Sequence, residues 1–215
     1  MIYLKTSVGI ELREDDMLIS SLQGNLSGGA FTRFKRIANY RERERESLRQ
    51  EVLAFFRSSG LSRDNVVLGI PRKDIVLRAL DLPAEVADNL RQVVQYQVQS
   101  FEPTEDDKFY YDYSLLQGPG AAKRLSVMLV MARKAALDEY LRLCGGFGIR
   151  PVAVTGASMG LANLFLQNRR ELQDKTCILA DLKVSGIEVL ALNRGTVIYS
   201  REVRKPEDRG WKDLL

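Results

Sequence analysis

The stretch "TCILADLKVSGIEVLALNRGTVIYSREV", residues 176–203, decides the fold. It reads as an apolar strand, a short polar turn, a second apolar strand, a Gly-containing turn and a third strand. The same plan opens the chain. Residues 7–12 and 16–23, within "SVGIELREDDMLISSLQ", are rich in Val, Ile and Leu and predict a hairpin, with the charged turn Arg13-Glu14-Asp15-Asp16 between the strands. "GNLSGG" (24–29) is a loop by composition, and "AFTRFKRIANY" (30–40) alternates apolar and basic residues like a strand with one solvated face. A layout that recurs at both ends of a chain points to a duplicated domain. The second copy reaches about three strands before "KPEDRGWKDLL" ends the sequence, which would leave a sheet edge unpaired. The chain is therefore expected to be a fragment of a longer protein, with its second domain truncated.

The middle of the chain alternates helix and strand. "RERERESLRQEVLAFFRSSG" carries Leu48, Val52, Phe55 and Phe56 at helical spacing, with Gly60 as a stop. Its opening run, Arg41 to Glu46, reads either as a solvated, self-neutralising first turn and linker or as a docking stripe for another protein. "NVVLGIP" (65–71) predicts a buried strand and "DIVLRALDLP" (74–83) an extended segment. In "AEVADNLRQVVQYQVQSF" (84–101), Val86, Leu90, Val93, Val94 and Val98 share one face of an amphipathic helix. "KFYYDYSLLQ" (108–117) is a strand with Tyr111 and Tyr113 on one face, "GPGAAKR" (118–124) a turn, and "LSVMLVMAR" (125–133) a central strand. A helix over 134–148, a buried strand over 150–158 and a helix over 159–172 with Ser158 as N-cap complete the series.

Composition narrows the chemistry. With 215 residues, 45% hydrophobic and 28% charged, the chain has the balance of a soluble globular protein of one large or two small domains. No run of about 18 apolar residues spans a membrane, and "MIYLKTSVGIEL" lacks the pattern of a signal peptide. A net charge of +4, without an aromatic-rich basic motif, does not point to nucleic acid; attraction to an acidic membrane surface or partner fits equally. Histidine is absent, which removes Ser-His and Cys-His nucleophiles and His metal sites. Cys144 and Cys177 sit in apolar segments and read as buried, reduced thiols of a cytosolic protein. Glu102, Asp106 and Asp107 read as a solvated acidic loop before a metal site.

Three stretches together carry a family resemblance. "LDLPAEVADNLRQVVQYQVQSFEPTEDDKFYYDYSLL" resembles the subdomain that distinguishes the FtsA and PilM branch of the actin-like fold. "MARKAALDEYLRLCGGFGIRPVAVTGASMGLANLF" continues it, and "ILADLKVSGIEVLALNRGTVIYSREV" is similar to the second phosphate hairpin of that fold. The resemblance, to PilM/GspL-type assembly proteins of type IV pili and type II secretion, covers most of residues 7–203. It rests on order and spacing, since no single motif is specific. It implies an α/β, actin-like (ribonuclease H-like) fold with an inserted FtsA/PilM-type αβ subdomain. The expected divisions are 1–73 and 150–174 for the first actin-like domain, 74–149 for the insert and 175–215 for the truncated second domain.

The resemblance also implies a function: a cytoplasmic platform at the inner face of the bacterial inner membrane, binding the cytoplasmic tail of a PilN-like protein in a groove beside the insert. A secretion or pilus motor ATPase and a second copy are further implied partners. The alternative is an ATP-binding, FtsA-like filament former or ATPase. The phosphate turns separate the two. An actin-like first turn offers roughly Asp-x-Gly-Ser-x-Ser, with Gly for close approach and hydroxyls as small donors. Here Glu11 and Arg13 stand where an acid and a glycine would, and the turn adds three carboxylates. Each would repel a phosphate by about 1 kcal/mol in bulk water and about 4 at an effective dielectric of 20, and Arg13 offsets one of them. The second turn keeps Asp181, Lys183, Ser185 and Gly186, but Lys183 replaces a glycine. Both turns are therefore expected to be degenerate, with no catalysis and no cofactor; ATP with Mg²⁺ is an option in a full-length chain. For the partner groove, amphipathic position selects Gln92, Gln95, Tyr96, Gln99 and Phe101.

Overall fold

In the computed structural model, residues 5–25, 28–101, 108–116, 124–183 and 186–205 are described. They fall into two compact units: residues 1–74 with 135–157, and residues 75–134 with 158–215.

The first unit is built on a five-stranded sheet. β1 (Lys5–Leu12), β2 (Met17–Asn25) and β3 (Gly28–Ile37) form an antiparallel meander. β4 (Val66–Ile70) lies parallel to β1, and β8 (Ala153–Gly156) parallel to β4, giving the order β3-β2-β1-β4-β8. The side chains of β1 alternate strictly: Val8, Ile10 and Leu12 are buried, while Gly9 and Glu11 turn to the other face. Helix α1 (Arg45–Ser58) buries Leu48, Val52 and Phe56, and α3 (Lys134–Gly146) buries Leu137, Tyr140 and Cys144. α1 starts where Glu44 accepts hydrogen bonds from the Glu46 and Ser47 amides and stops at Gly60, whose φ of +63° suits glycine. Arg49 Nε donates to the Gly146 carbonyl at 3.1 Å, joining the start of α1 to the end of α3.

The second unit carries two three-stranded sheets. β5 (Ile75–Pro83), β7 (Arg124–Arg133) and β6 (Phe109–Leu115) pair in the order β5-β7-β6, so the most apolar strand is central, as its sequence predicts. Helix α2 (Leu90–Gln99) lays Leu90, Val94 and Val98 against Val127, Leu129 and Met131. Fully burying a Val or Leu side chain contributes about 1.5–3 kcal/mol. The other sheet, β11-β10-β9, consists of β9 (Thr176–Leu182), β10 (Gly186–Asn193) and β11 (Thr196–Arg204). One face packs Leu190, Leu192 and Val197 with Ala162 of α4 (Ala157–Asn168). Its other face exposes Ile178, Leu182, Tyr199 and Val203.

Several expected boundaries move. The helix expected from residue 84 is a 3₁₀ turn over Ala84–Asn89 and becomes α-helical only at Leu90; apolar spacing does not separate the two windings. The loop expected over 24–29 is mostly strand, because Gly24 pairs with Gly29 and Asn25 with Gly28. The strand expected to be buried over 150–158 is a short edge strand whose Val154 is 37% exposed. An apolar run alone cannot tell edge from centre. Helix α4 begins at Ala157, so Ser158 lies inside its first turn and is no N-cap. Of the two thiols, Cys144 is buried but Cys177 only half so. The turn at 118–124, apart from Arg124, and the acids Glu102, Asp106 and Asp107 lie outside the described residues.

Candidate functional site

The first phosphate turn sits between β1 and β2. Its four carbonyls are all engaged within the protein. Arg13 donates its amide N–H to the Asp16 carbonyl at 2.8 Å, and the Asp15 carbonyl accepts from the Tyr40 amide at 3.1 Å. The Arg13 carbonyl accepts from the Tyr40 hydroxyl at 3.3 Å, and the Glu14 carbonyl from Arg41 Nε at 3.0 Å. The segment that follows β3 therefore clasps the turn. Two of the turn's three acids, Glu14 and Asp16, are paired as well. Arg13 binds Glu11 at 2.6 Å, Lys73 binds Glu14 at 3.2 Å, and Arg36 binds Asp16 at 2.8 Å. The expectation counted one cation, Arg13, beside these acids; Lys73 and Arg36 reach Glu14 and Asp16 as well. Repulsion of a phosphate is thus weaker than three bare carboxylates would give, and the clasp holds the turn by its carbonyls.

The second turn joins β9 to β10. Lys183 exchanges backbone hydrogen bonds with Gly186, donating at 2.8 Å and accepting at 3.4 Å. Its ammonium reaches Glu188 at 2.6 Å and Asp181 at 3.7 Å. Glu188 is 1% exposed and also accepts from the Ser200 hydroxyl at 3.2 Å. The lysine is thus committed to a buried carboxylate. Ser185 lies outside the described residues. Gly186 has its own structural reason. A Cβ placed there would come within 2.3 Å of the Val203 carbonyl oxygen, because β11 passes directly behind it. Sequence reasoning missed Glu188. The available signal was its period-two phase with Leu190 and Leu192, which puts a carboxylate among core positions.

A pocket of about 450 Å³ opens in the first unit, between the segment 40–49 and the second half of α3. Five arginines line it, Arg41, Arg43, Arg45, Arg49 and Arg142, against two glutamates, Glu46 and Glu139. Arg41 is held over the rings of Tyr40 and Tyr140, 5.3 and 5.7 Å from their centroids. Its Nη2 donates to the Tyr140 hydroxyl at 3.1 Å, and that hydroxyl donates to Asp74 at 2.6 Å. Burial pushes the Tyr40 hydroxyl up to about 12, with Arg41 pulling the other way. Burial, then the bond to Asp74, moves Tyr140 in the same direction. Both phenols stay neutral donors through the physiological range.

The residues selected for a partner groove occupy α2 and its C-terminal end. Gln92, Gln95, Tyr96 and Gln99 form one exposed helical face, with Tyr96 70% exposed. Phe101 is half-buried against the α2 core and lies under Arg78, 5.2 Å from its ring centroid.

A meander extended by two parallel strands, with a second meander later in the chain, defines an actin-like α/β protein. The model of the family of type IV pilus assembly protein PilM matches residues 33–205, and the chain belongs to that family. The solved PilM-PilN type IV pilus biogenesis complex contains a similar chain: TM-score 0.74 and 17% identity, over 92% of this chain and 61% of that one. The cytoplasmic domain of EpsL, an inner membrane component of the type II secretion system of Vibrio cholerae, is similar at TM-score 0.58 and 10% identity, covering 93% and 71%. A Bacteroides thetaiotaomicron protein of actin-like ATPase fold and unknown function aligns at TM-score 0.49 and 16% identity, covering 95% and 74%. This chain therefore spans 61% of the length of the first of these structures. No curated protein sequence matches it. Among the described residues, no helix is long and apolar enough to cross a membrane.

Proposed function

We propose that the chain is the larger part of a non-catalytic platform in a type IV pilus or type II secretion assembly. It works in the cytoplasm, at the inner face of the inner membrane, and holds the cytoplasmic tail of a PilN-like membrane protein. Of the insert expected over 74–149, residues 75–134 serve as the inserted subdomain, since 135–149 group with the first unit. The observation that carries this reading is the internal commitment of both phosphate turns: the first is clasped by Tyr40 and Arg41, and the lysine of the second is held by Glu188. Those bonds fix the first turn through its carbonyls and occupy the lysine of the second, so a phosphate would meet a braced turn and no available ammonium. Family membership supports the pilus assignment. The exposed face of Gln92, Gln95, Tyr96 and Gln99 offers adaptable amides around one aromatic anchor, a pattern that suits a peptide partner.

The test is a pair of thermal unfolding measurements, one with Mg-ATP and one with a synthetic peptide of a PilN-like N-terminal tail. A ligand at 100 times its Kd adds about 2.7 kcal/mol. The platform reading expects stabilisation by the peptide, reduced by Tyr96→Ala, and none by the nucleotide. Stabilisation by Mg-ATP alone would reverse it.

A further inference from the structure

The three arginines of the alternating run Arg41 to Glu46 share one side in the folded protein: Arg41, Arg43 and Arg45 line the 450 Å³ pocket, with Glu46, whereas Glu42 and Glu44 do not. Glu44 spends its carboxylate on the amides of Glu46 and Ser47. A run that merely solvated itself would not divide in this way. Two of the five arginines are neutralised by glutamates: Arg43 by Glu51, which lies outside the lining, and Arg49 by Glu46 at 3.1 Å. The other three have no carboxylate within ion-pair distance among the described residues. Among the described residues, Arg41 bonds the Glu14 carbonyl and the Tyr140 hydroxyl, Arg142 bonds the Asp138 carbonyl, and Arg45 is exposed. They come from three places: the segment after β3, the start of α1, and α3. Leu48, Leu143 and Phe147 form an apolar lining beside them.

We infer that this pocket binds an acidic peptide segment of a partner protein, one in which carboxylates flank a Leu or an aromatic side chain. Guanidinium groups pair with carboxylates in a planar, bidentate fashion, and Arg41 is pre-oriented between two tyrosine rings. A compact anion would use the cations and leave the apolar lining wet; an extended acidic segment uses both. The inference is independent of where a PilN-like tail binds, since it rests only on residues of the first unit.

The experiment starts from a random dodecapeptide library displayed on phage, selected on the 215-residue chain. The most enriched peptide is then synthesised and its affinity measured by fluorescence anisotropy. Enriched sequences should place Asp or Glu on both sides of Leu, Phe or Trp. Arg45→Glu/Arg142→Glu, two exposed positions, should weaken binding by about tenfold or more, and Arg45→Lys/Arg142→Lys should recover most of it. Enrichment without acids, or affinity unchanged by the charge reversal, overturns the assignment. So does a peptide-free result in which phosphatidylglycerol vesicles bind the chain and lose it in Arg45→Glu/Arg142→Glu, which would give the pocket to a lipid surface.

Discussion

Gly186→Ala separates two explanations of one residue. In an actin-like phosphate turn, a glycine lets the backbone approach phosphate. In this structure, its missing Cβ makes room for β11: the added carbon would stand 2.3 Å from the Val203 carbonyl oxygen and 3.0 Å from the Arg204 Cα. Both are backbone atoms, so no side chain can swing aside. The strand itself must retreat by roughly 1 Å, against the ladder that pairs Gly186 with Arg204 and Ile187 with Val203. Overpacking of this kind costs about 1–3 kcal/mol. By hydrogen exchange, that is about 5- to 150-fold faster exchange of the amides of β10 and β11. The β5-β7-β6 sheet should keep its protection. If Gly186→Ala leaves exchange in β10 and β11 unchanged, the steric account of this glycine is wrong and a ligand-based one regains ground.

Other consequences follow from the same contacts. Lys183→Ala strands the Glu188 carboxylate with only the Ser200 hydroxyl, and should destabilise the second unit by about 3–5 kcal/mol in urea unfolding. Lys183→Ala/Glu188→Leu, which removes both charges, should recover most of that loss. Tyr140→Phe breaks the bonds to Asp74 and Arg41 and should cost about 1–3 kcal/mol. Because the Tyr40 and Tyr140 hydroxyls titrate above their usual value of 10.0, the unfolded chain releases those protons first as pH rises. Stability should hold up to about pH 10 and fall from there as the pH passes through the folded values, and Tyr40→Phe/Tyr140→Phe should flatten that fall. A thiol reagent should label Cys177 in the native state and Cys144 only after unfolding, since burial excludes Cys144 and pushes its thiol up to about 11.

Strand segments and helix faces were legible because they depend on periodicity. Val8, Ile10 and Leu12 alternate, Leu90, Val94 and Val98 recur, and the apolar run Val127–Met131 is a centre strand as expected. Windings and edges were less so: the 3₁₀ start before α2 and the exposed edge strand β8 have the same composition as what was expected there. The missing glycine and hydroxyls of the first turn were readable in the sequence. The contacts of Tyr40, Arg36 and Lys73 with that turn were not, because those residues lie 20 or more positions from it. The arginine pocket was visible only as an alternating run. What divides its charges is the folding of residues 41–46 against α3, nearly a hundred positions away.

The central claim is that the two turns are braced by contacts within the protein and take no phosphate. An amide NMR titration of the chain with Mg-ATP tests it most directly. The account predicts that the amides of Arg13, Glu14, Asp15, Asp16, Lys183 and Gly186 stay where they are up to millimolar nucleotide. Saturable shifts confined to those amides would show a working phosphate site and contradict it.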